Sequence, residues 1–243
     1  MAQELHVIQR MQDRVVGWQE AADRRADFLH CYMLMTGNML EALEAGEFVD
    51  REWVNRLLQR FADYYFEALN AYEQDRETAP AVWCAAHDAT LADGHRAVQR
   101  VFLGVNAHIN YDLVLALVDL LQPEWPTADE ILRQVRYRDH CHVNEVIART
   151  INRVQDEVVE DEEPFMEVVD HLFGPLDEWA IAWLIRRWRD EVWRNAIRYM
   201  HAPEDEARAA LRQKIEATTL GRAEAIILGK DLRRILPQPA YSS

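Results

Sequence analysis

Apolar residues recur at helical spacing along almost the whole chain. In the first such stripe, Leu5, Ile8, Met11, Val15 and Trp18 follow one another at intervals of three or four residues, which places them on one face of an α-helix. No run of residues alternates apolar and polar side chains between hairpin turns, as a half-buried strand would. The sequence therefore predicts an all-α protein.

The predicted helices form one multi-helix bundle. A chain of 243 residues is long enough to bury a full core, and no break in composition divides it. We expect a single all-helical domain over residues 1–236 and a loose tail over 237–243. The segment from Asp177 to Met200 is apolar all the way round in its first half, which predicts a central buried helix.

Capping signals give some of the helix boundaries. Asp50 precedes a helical stripe and is a predicted N-cap. The sequence "TADE", Thr127 to Glu130, is typical of a capping box that opens the next helical region, and a long helix is expected from about Arg138 to Asp156. A further short helix is predicted from Pro164 to Phe173.

The charge balance narrows the classes of partner. The chain has 42 acidic and 27 basic residues, a formal charge of -15, and such a surface repels phosphate backbones and anionic lipids. We therefore expect a small-molecule substrate, with neither nucleic acid nor a membrane as a partner, and leave homo-oligomerisation open. The N-terminus shows no secretory pattern and Cys31, Cys84 and Cys141 have no paired spacing, which favours a cytoplasmic protein with reduced thiols.

Two residue types are almost missing. The only serines are Ser242 and Ser243, and the only lysines are Lys214 and Lys230. A serine-nucleophile triad is therefore excluded, and a Schiff-base lysine is disfavoured. The glycines also lack the spacing of a nucleotide-binding loop.

The segment "GVNAHINYDLVLALVDLL", residues 104–121, is apolar but carries polar residues at its centre. His108 and Asp112 are four residues apart, which puts both side chains on one face of a helix. An unpaired buried carboxylate costs several kcal/mol, so Asp112 must be paired, protonated or bound to a cation.

Other segments are expected to send polar side chains inward. The helical phase of "RDHCHVNEVIARTINRV" turns Asp139 and His140 toward the core. Inward histidines and carboxylates on several helices are what a metal site in a bundle needs. The candidate catalytic residues are His108, Asp112, Asp139 and His140. The candidate ligands of a divalent zinc, manganese or iron ion are His108, Asp112, His140, His87 and Asp170. The candidate substrate-orienting residues are Asn110, Asn144 and Trp83.

The octapeptide "NAHINYDL", residues 106–113, resembles a bacterial family of unknown function, together with Trp83, the later "RDHCHVN" and an aspartate near Asp170. This resemblance covers most of the chain and implies that five residues matter: His108, Asn110, Asp112, Asp139 and Asn144. The His-x-x-x-Asp pair is also similar to that of the all-helical zinc-dependent phospholipase C and nuclease superfamily, although the chain lacks an obvious His-x-x-x-Glu partner helix.

Three functions follow as hypotheses. The first is a small-molecule enzyme, a metal-dependent hydrolase, in which the ion lowers the pKa of bound water. The second is a metal-free lyase, cyclase or isomerase that uses an Asp-His pair as acid and base. The third is a non-enzymatic protein in which a buried polar network fixes the register of the helices.

Overall fold

The computed structural model describes residues 2–157 and 178–229, with side chains for residues 7–151 and 180–229. All regular elements in this part of the chain are helical, which confirms the all-α fold. The helices are α1 (Ala2–Glu20), α2 (Ala26–Glu44), α3 (Arg51–Gln74), a 3-10 turn (Arg76–Thr78), α4 (Ala81–Leu91), α5 (Ala97–Ala107), a π turn (His108–Asp112), α6 (Leu113–Leu121), α7 (Glu130–Glu157), α8 (Glu178–His201) and α9 (Asp205–Ile227).

The start of α3 has the predicted cap. The side chain of Asp50 accepts a hydrogen bond from the backbone N–H of Trp53 at 2.9 Å, which satisfies one of the free donors in the first turn.

The start of α7 differs from the prediction. The Thr127 hydroxyl donates to the carbonyl of Glu124 at 3.2 Å instead of capping the helix, and Asp129 accepts from the backbone N–H of Leu132 at 2.8 Å. The capping box at Thr127 is therefore wrong, because Asp129 reaches the free donors first. The helix that begins at Glu130 continues to Glu157 without the expected new start near Arg138. The predicted helix over residues 164–173 and the tail over 237–243 lie outside the described residues.

A single long helix, formed by α5, the π turn and α6, runs through the centre of the bundle. It extends from Ala97 to Leu121 and is long and apolar enough to cross a membrane, with a mean hydropathy of 1.5 in its most apolar window. In the fold, 83% of that window is buried, as expected for a core helix. It packs against α2, α3, α4, α8 and α9, so a buried central helix is confirmed. It is not the helix that the sequence predicted for this place: the Asp177 to Met200 segment corresponds to α8, which packs on one side only and leaves Arg186 and Arg187 exposed.

Gly104 sets the distance between the central helix and α2. A Cβ atom at this position would lie 2.3 Å from Cγ of Phe28, far inside van der Waals contact. The hydrogen of Gly104 is thus what allows the Phe28 ring to lie on the helix backbone, one turn before His108.

Candidate functional site

The polar centre of the long helix has an unusual backbone. From His108 to Asp112 the helix widens into a π turn, in which the N–H of Leu113 donates to the carbonyl of His108, five residues earlier. The sequence pattern predicted an ordinary α-helix here. Single π turns inside α-helices occur frequently at functional sites.

Within this turn, His108 and Asp112 form a buried hydrogen-bonded pair. Nδ1 of His108 lies 3.0 Å from Oδ2 of Asp112, and Nε1 of Trp83 on α4 donates to the same oxygen at 2.9 Å and to Oδ1 at 3.1 Å. None of the three residues is more than 3% exposed. Trp83, which the sequence suggested as a substrate-orienting residue, thus holds the carboxylate of Asp112.

Burial opposes charge on both members of the pair. It raises the pKa of Asp112 well above its usual value, against the effect of the Trp83 hydrogen bond, and it lowers the pKa of His108 well below the usual value. Burial thus favours the neutral pair, in which Asp112 and His108 share one proton between Oδ2 and Nδ1 and a second proton lies on Nε2. The proton that this pair can release and take up again is the one on Nε2 of His108.

Aromatic rings enclose the imidazole of His108. Phe61 stacks on it with 3.5 Å between the ring centroids, and Tyr32 contacts it edge-on at 4.3 Å. Nε2 is buried and has no hydrogen-bond partner within the described part of the chain. Leaving a buried polar atom unpaired costs about 1–3 kcal/mol, and such an atom in a native fold calls for an explanation.

His108 also forms part of the wall of a cavity of about 190 Å³ between the helices. The described residues that line it are overwhelmingly apolar and come from α2, α3, α5, the π turn, α6, α7 and α8. Four of these lining residues have an ionisable side chain: Cys31, Tyr32, His108 and Arg189. A largely apolar cavity with a few placed polar groups is the usual form of a small-molecule site.

Arg189 on α8 is held by two residues that were predicted for the site, Asn144 and His140. Its Nε donates to Oδ1 of Asn144 at 2.8 Å, and its Nη2 donates to the backbone carbonyl of His140 at 2.7 Å. Nε2 of His140 lies 3.1 Å from the carbonyl of Arg189. His140 and Asn144 are therefore buried, as predicted, but they position an arginine and do not themselves line the cavity.

The hydrogen bonds of Asp139 are to backbone groups. Its carboxylate accepts the backbone N–H groups of Val49 and Asp50 at 2.9 and 2.8 Å. Both belong to the loop that leads into α3, so this side chain fixes the loop. Asp139 is inward, as expected, but lies apart from the cavity wall.

The remaining predicted residues surround the central helix. Asn110 donates to Asn106 at 3.0 Å, and Asn106 donates to the carbonyl of Thr219 on α9. His87 stacks on Trp83 at 5.2 Å between centroids and contributes no hydrogen bond to Asp112. Asp170 lies outside the described residues.

Apart from the His108–Asp112 pair, the predicted metal ligands that the structure describes do not come together. Among the described residues there is no group of three His, Cys, Asp or Glu side chains that could hold a metal ion. Nδ1 of His108 is taken by Asp112, and Nε2 of His140 by a backbone carbonyl. The donor set in this part of the chain therefore does not match a divalent ion.

Arg189 and Phe61 contribute to the site, although the sequence pattern did not predict them for it. Arg189 follows Ile185 by four residues and precedes Val192 by three, so it lies on the inward stripe of α8. This spacing is the sequence signal that indicates a buried arginine. Phe61 is one of the apolar residues of α3, and nothing in the pattern indicates that its ring would meet a histidine.

Comparison with known proteins gives a family but no function. No curated protein and no solved structure matches the chain. A family model described as a family of unknown function, DUF5995, matches residues 5–229. Because the match extends over nearly the whole chain, the protein belongs to the DUF5995 family.

Proposed function

We propose that this protein is an enzyme that moves a proton to or from a small, largely apolar molecule held in the cavity, without a metal ion. One observation carries the proposal. His108 is a residue of the cavity wall, and its buried Nε2 has no hydrogen-bond partner among the described residues, while its Nδ1 is fixed by a carboxylate. This is the arrangement of a general acid or base.

Each member of the Trp83–Asp112–His108 chain has a distinct role. His108 would exchange a proton with the bound molecule at Nε2, as an acid in the neutral pair and as a base once Nε2 has lost its proton, as in a lyase or isomerase. Asp112 orients the ring and stabilises the imidazolium that forms. Trp83 keeps the Asp112 carboxylate in place through two short contacts, and apolar walls exclude water from the reacting atoms.

The expected metal-dependent hydrolase remains a less favoured proposal, because the described donors are already committed to other partners. A structural role is supported for a different set of residues. Asp139 binds two backbone N–H groups, and His140 and Asn144 hold Arg189. We propose that these three residues support the fold and the cavity and do not take part in proton transfer.

Proton abstraction can be tested without knowing the natural substrate. The protein is incubated in D₂O, after dialysis against a chelator, with small ketones and 2-oxo acids such as 2-hexanone and 2-oxohexanoate. Loss of the proton signal next to the carbonyl is followed by ¹H NMR. We expect exchange above the buffer rate for at least one compound that shifts the His108 ring signals, and a large loss of it in His108→Gln.

The control is His201→Gln, which removes an exposed imidazole at the end of α8. This variant should exchange the probe as the parent protein does. Two results would overturn the proposal: compounds that shift the His108 signals but exchange only at the buffer rate, or exchange that persists in a folded His108→Gln variant.

A further inference from the structure

A buried arginine in the same cavity indicates which class of molecule the site accepts. Arg189 is 4% exposed and lines the cavity with His108. Its hydrogen-bond partners among the described residues are all neutral: Oδ1 of Asn144, the carbonyl of His140 and, at 3.4 Å, Nδ1 of His140. Its Nη1 donates no hydrogen bond to a described residue.

The guanidinium remains charged in this environment. Burial lowers the pKa of Arg189 to about 10, opposed by the electrostatic attraction of Cys141 and Asp190, so the side chain is still protonated at neutral pH. In the described part of the chain, no carboxylate lies within ion-pair distance of it. A buried cation with only neutral partners is costly, and an anion that enters the cavity would remove much of that cost.

We propose that the cavity binds a small monocarboxylate, whose apolar body lies among the aliphatic and aromatic side chains and whose carboxylate pairs with Arg189. Arginine suits this task because its planar N–H groups match the geometry of a carboxylate. A dry cavity of about 150 Å³ accepts benzene, so about 190 Å³ leaves room for roughly eight non-hydrogen atoms.

The inference rests on the proposed function in taking the cavity as the reaction site, and it adds the substrate class. The carboxylate at Arg189 would fix one end of the molecule, and the proton-transfer atom, Nε2 of His108, would meet its body. Asn144 and His140 then serve as positioning residues, because they hold the guanidinium through Nε and Nη2 and leave Nη1 for the ligand.

Binding can be tested with two pairs of probes that match in shape and differ in charge. Hexanoate is compared with hexanamide, and benzoate with benzamide, by isothermal titration calorimetry at pH 7. We expect each carboxylate to bind at least about tenfold more tightly than its amide, the difference that one charge-assisted hydrogen bond supplies. Arg189→Gln should abolish this preference without weakening the amides, which report on the integrity of the cavity.

Two further variants complete the experiment. Arg189→Lys keeps the charge and should keep a preference for the carboxylates. Arg212→Gln removes an arginine that contacts the hydroxyl of Tyr111 outside the cavity wall and should change nothing. Equal affinity for acids and amides in the parent protein would overturn the inference, as would a preference that survives in Arg189→Gln.

This outcome is independent of the proton-exchange experiment. Carboxylates that bind through Arg189 but never exchange protons would uphold the ligand class and overturn the proposed reaction. Proton exchange that occurs only with neutral ketones would uphold the proposed reaction and overturn the ligand class. Binding of hexanoate to a folded His108→Gln variant should match the parent within a few-fold, because the anion and the base are held by different side chains.

Discussion

The imidazole of His108 lies almost parallel to the ring of Phe61, with 3.5 Å between the centroids and 6° between the planes. This contact removes water from one face of the base, and burial is the reason that the pKa of His108 is lowered. A side chain that covers less of the ring would admit water and stabilise the imidazolium.

We therefore expect Phe61→Leu to raise the pKa of His108, as followed by the pH dependence of its ring signals in NMR. Phe48→Leu is the matched control, since the Phe48 ring contacts His142 and not His108. An unchanged His108 titration in the Phe61 variant would show that the stacking does not control the base.

Asp112→Asn should inactivate the site while leaving its shape intact. The amide can accept from Trp83 through its oxygen, but its nitrogen then donates to Nδ1 of His108 and moves the ring proton to Nε2. The base form is lost, so we expect proton exchange to fall by roughly 10²- to 10⁴-fold. ¹⁵N NMR of the ring should show the changed tautomer, and a variant with that tautomer and full activity would refute the assigned role.

Asp139→Asn should affect stability and not activity. The substitution removes one of the two acceptors for the N–H groups of Val49 and Asp50, and we expect the free energy of unfolding to fall by roughly 1–3 kcal/mol. Asp129→Asn, at the exposed start of α7, is the control and should cost less. Loss of proton exchange at unchanged stability would return Asp139 to the catalytic set.

His87 should make the fold sensitive to acid. Burial, with a smaller contribution from Arg25, lowers its pKa from the usual 6.5 to about 3. Between these two values the unfolded chain binds a proton that the folded chain does not, so stability falls as the pH falls through that window. The contribution of His87 to the slope is at most about 1.4 kcal/mol per pH unit.

His87→Gln should reduce this slope by that amount between pH 6 and 4, as measured by denaturant unfolding at a series of pH values. His201→Gln, the loss of an exposed imidazole, is the control. A slope that His87→Gln leaves unchanged would mean that the buried ring is already protonated in the fold.

Gly104→Ala should destabilise the protein, whereas Gly37→Ala should not. A Cβ at Gly104 would overlap the ring of Phe28, which must then move, and overpacking of this kind costs about 1–3 kcal/mol. At Gly37, inside α2, no heavy atom lies within 4 Å of the added carbon, so the gain in helix propensity of about 0.5–1 kcal/mol should prevail. Equal melting temperatures for the two variants would contradict this account of the contact.

The helical pattern predicted the fold and part of the site, for a physical reason. The spacing of four between His108 and Asp112, and the apolar residues around them, are local properties that any helix converts into a buried pair. Trp83 and Arg189 meet this region from distant parts of the chain, and a single sequence does not record which helices will be neighbours. Asp139 shows the same limit, since its inward phase was correct but its backbone partners near Val49 depend on tertiary packing.

The π turn also allows the two halves of the central helix to pack against different neighbouring helices. An α-helix advances by about 100° per residue, so the one extra residue between His108 and Asp112 rotates everything that follows it. The apolar face of α5 can therefore meet α2 and α4 while that of α6 meets α3 and α8. Closing this turn into a regular helix with the same residues would rotate α6 by about 100° and misalign one half of the core with its neighbours. The geometry that places the acid–base pair is thus inseparable from the register of the whole bundle.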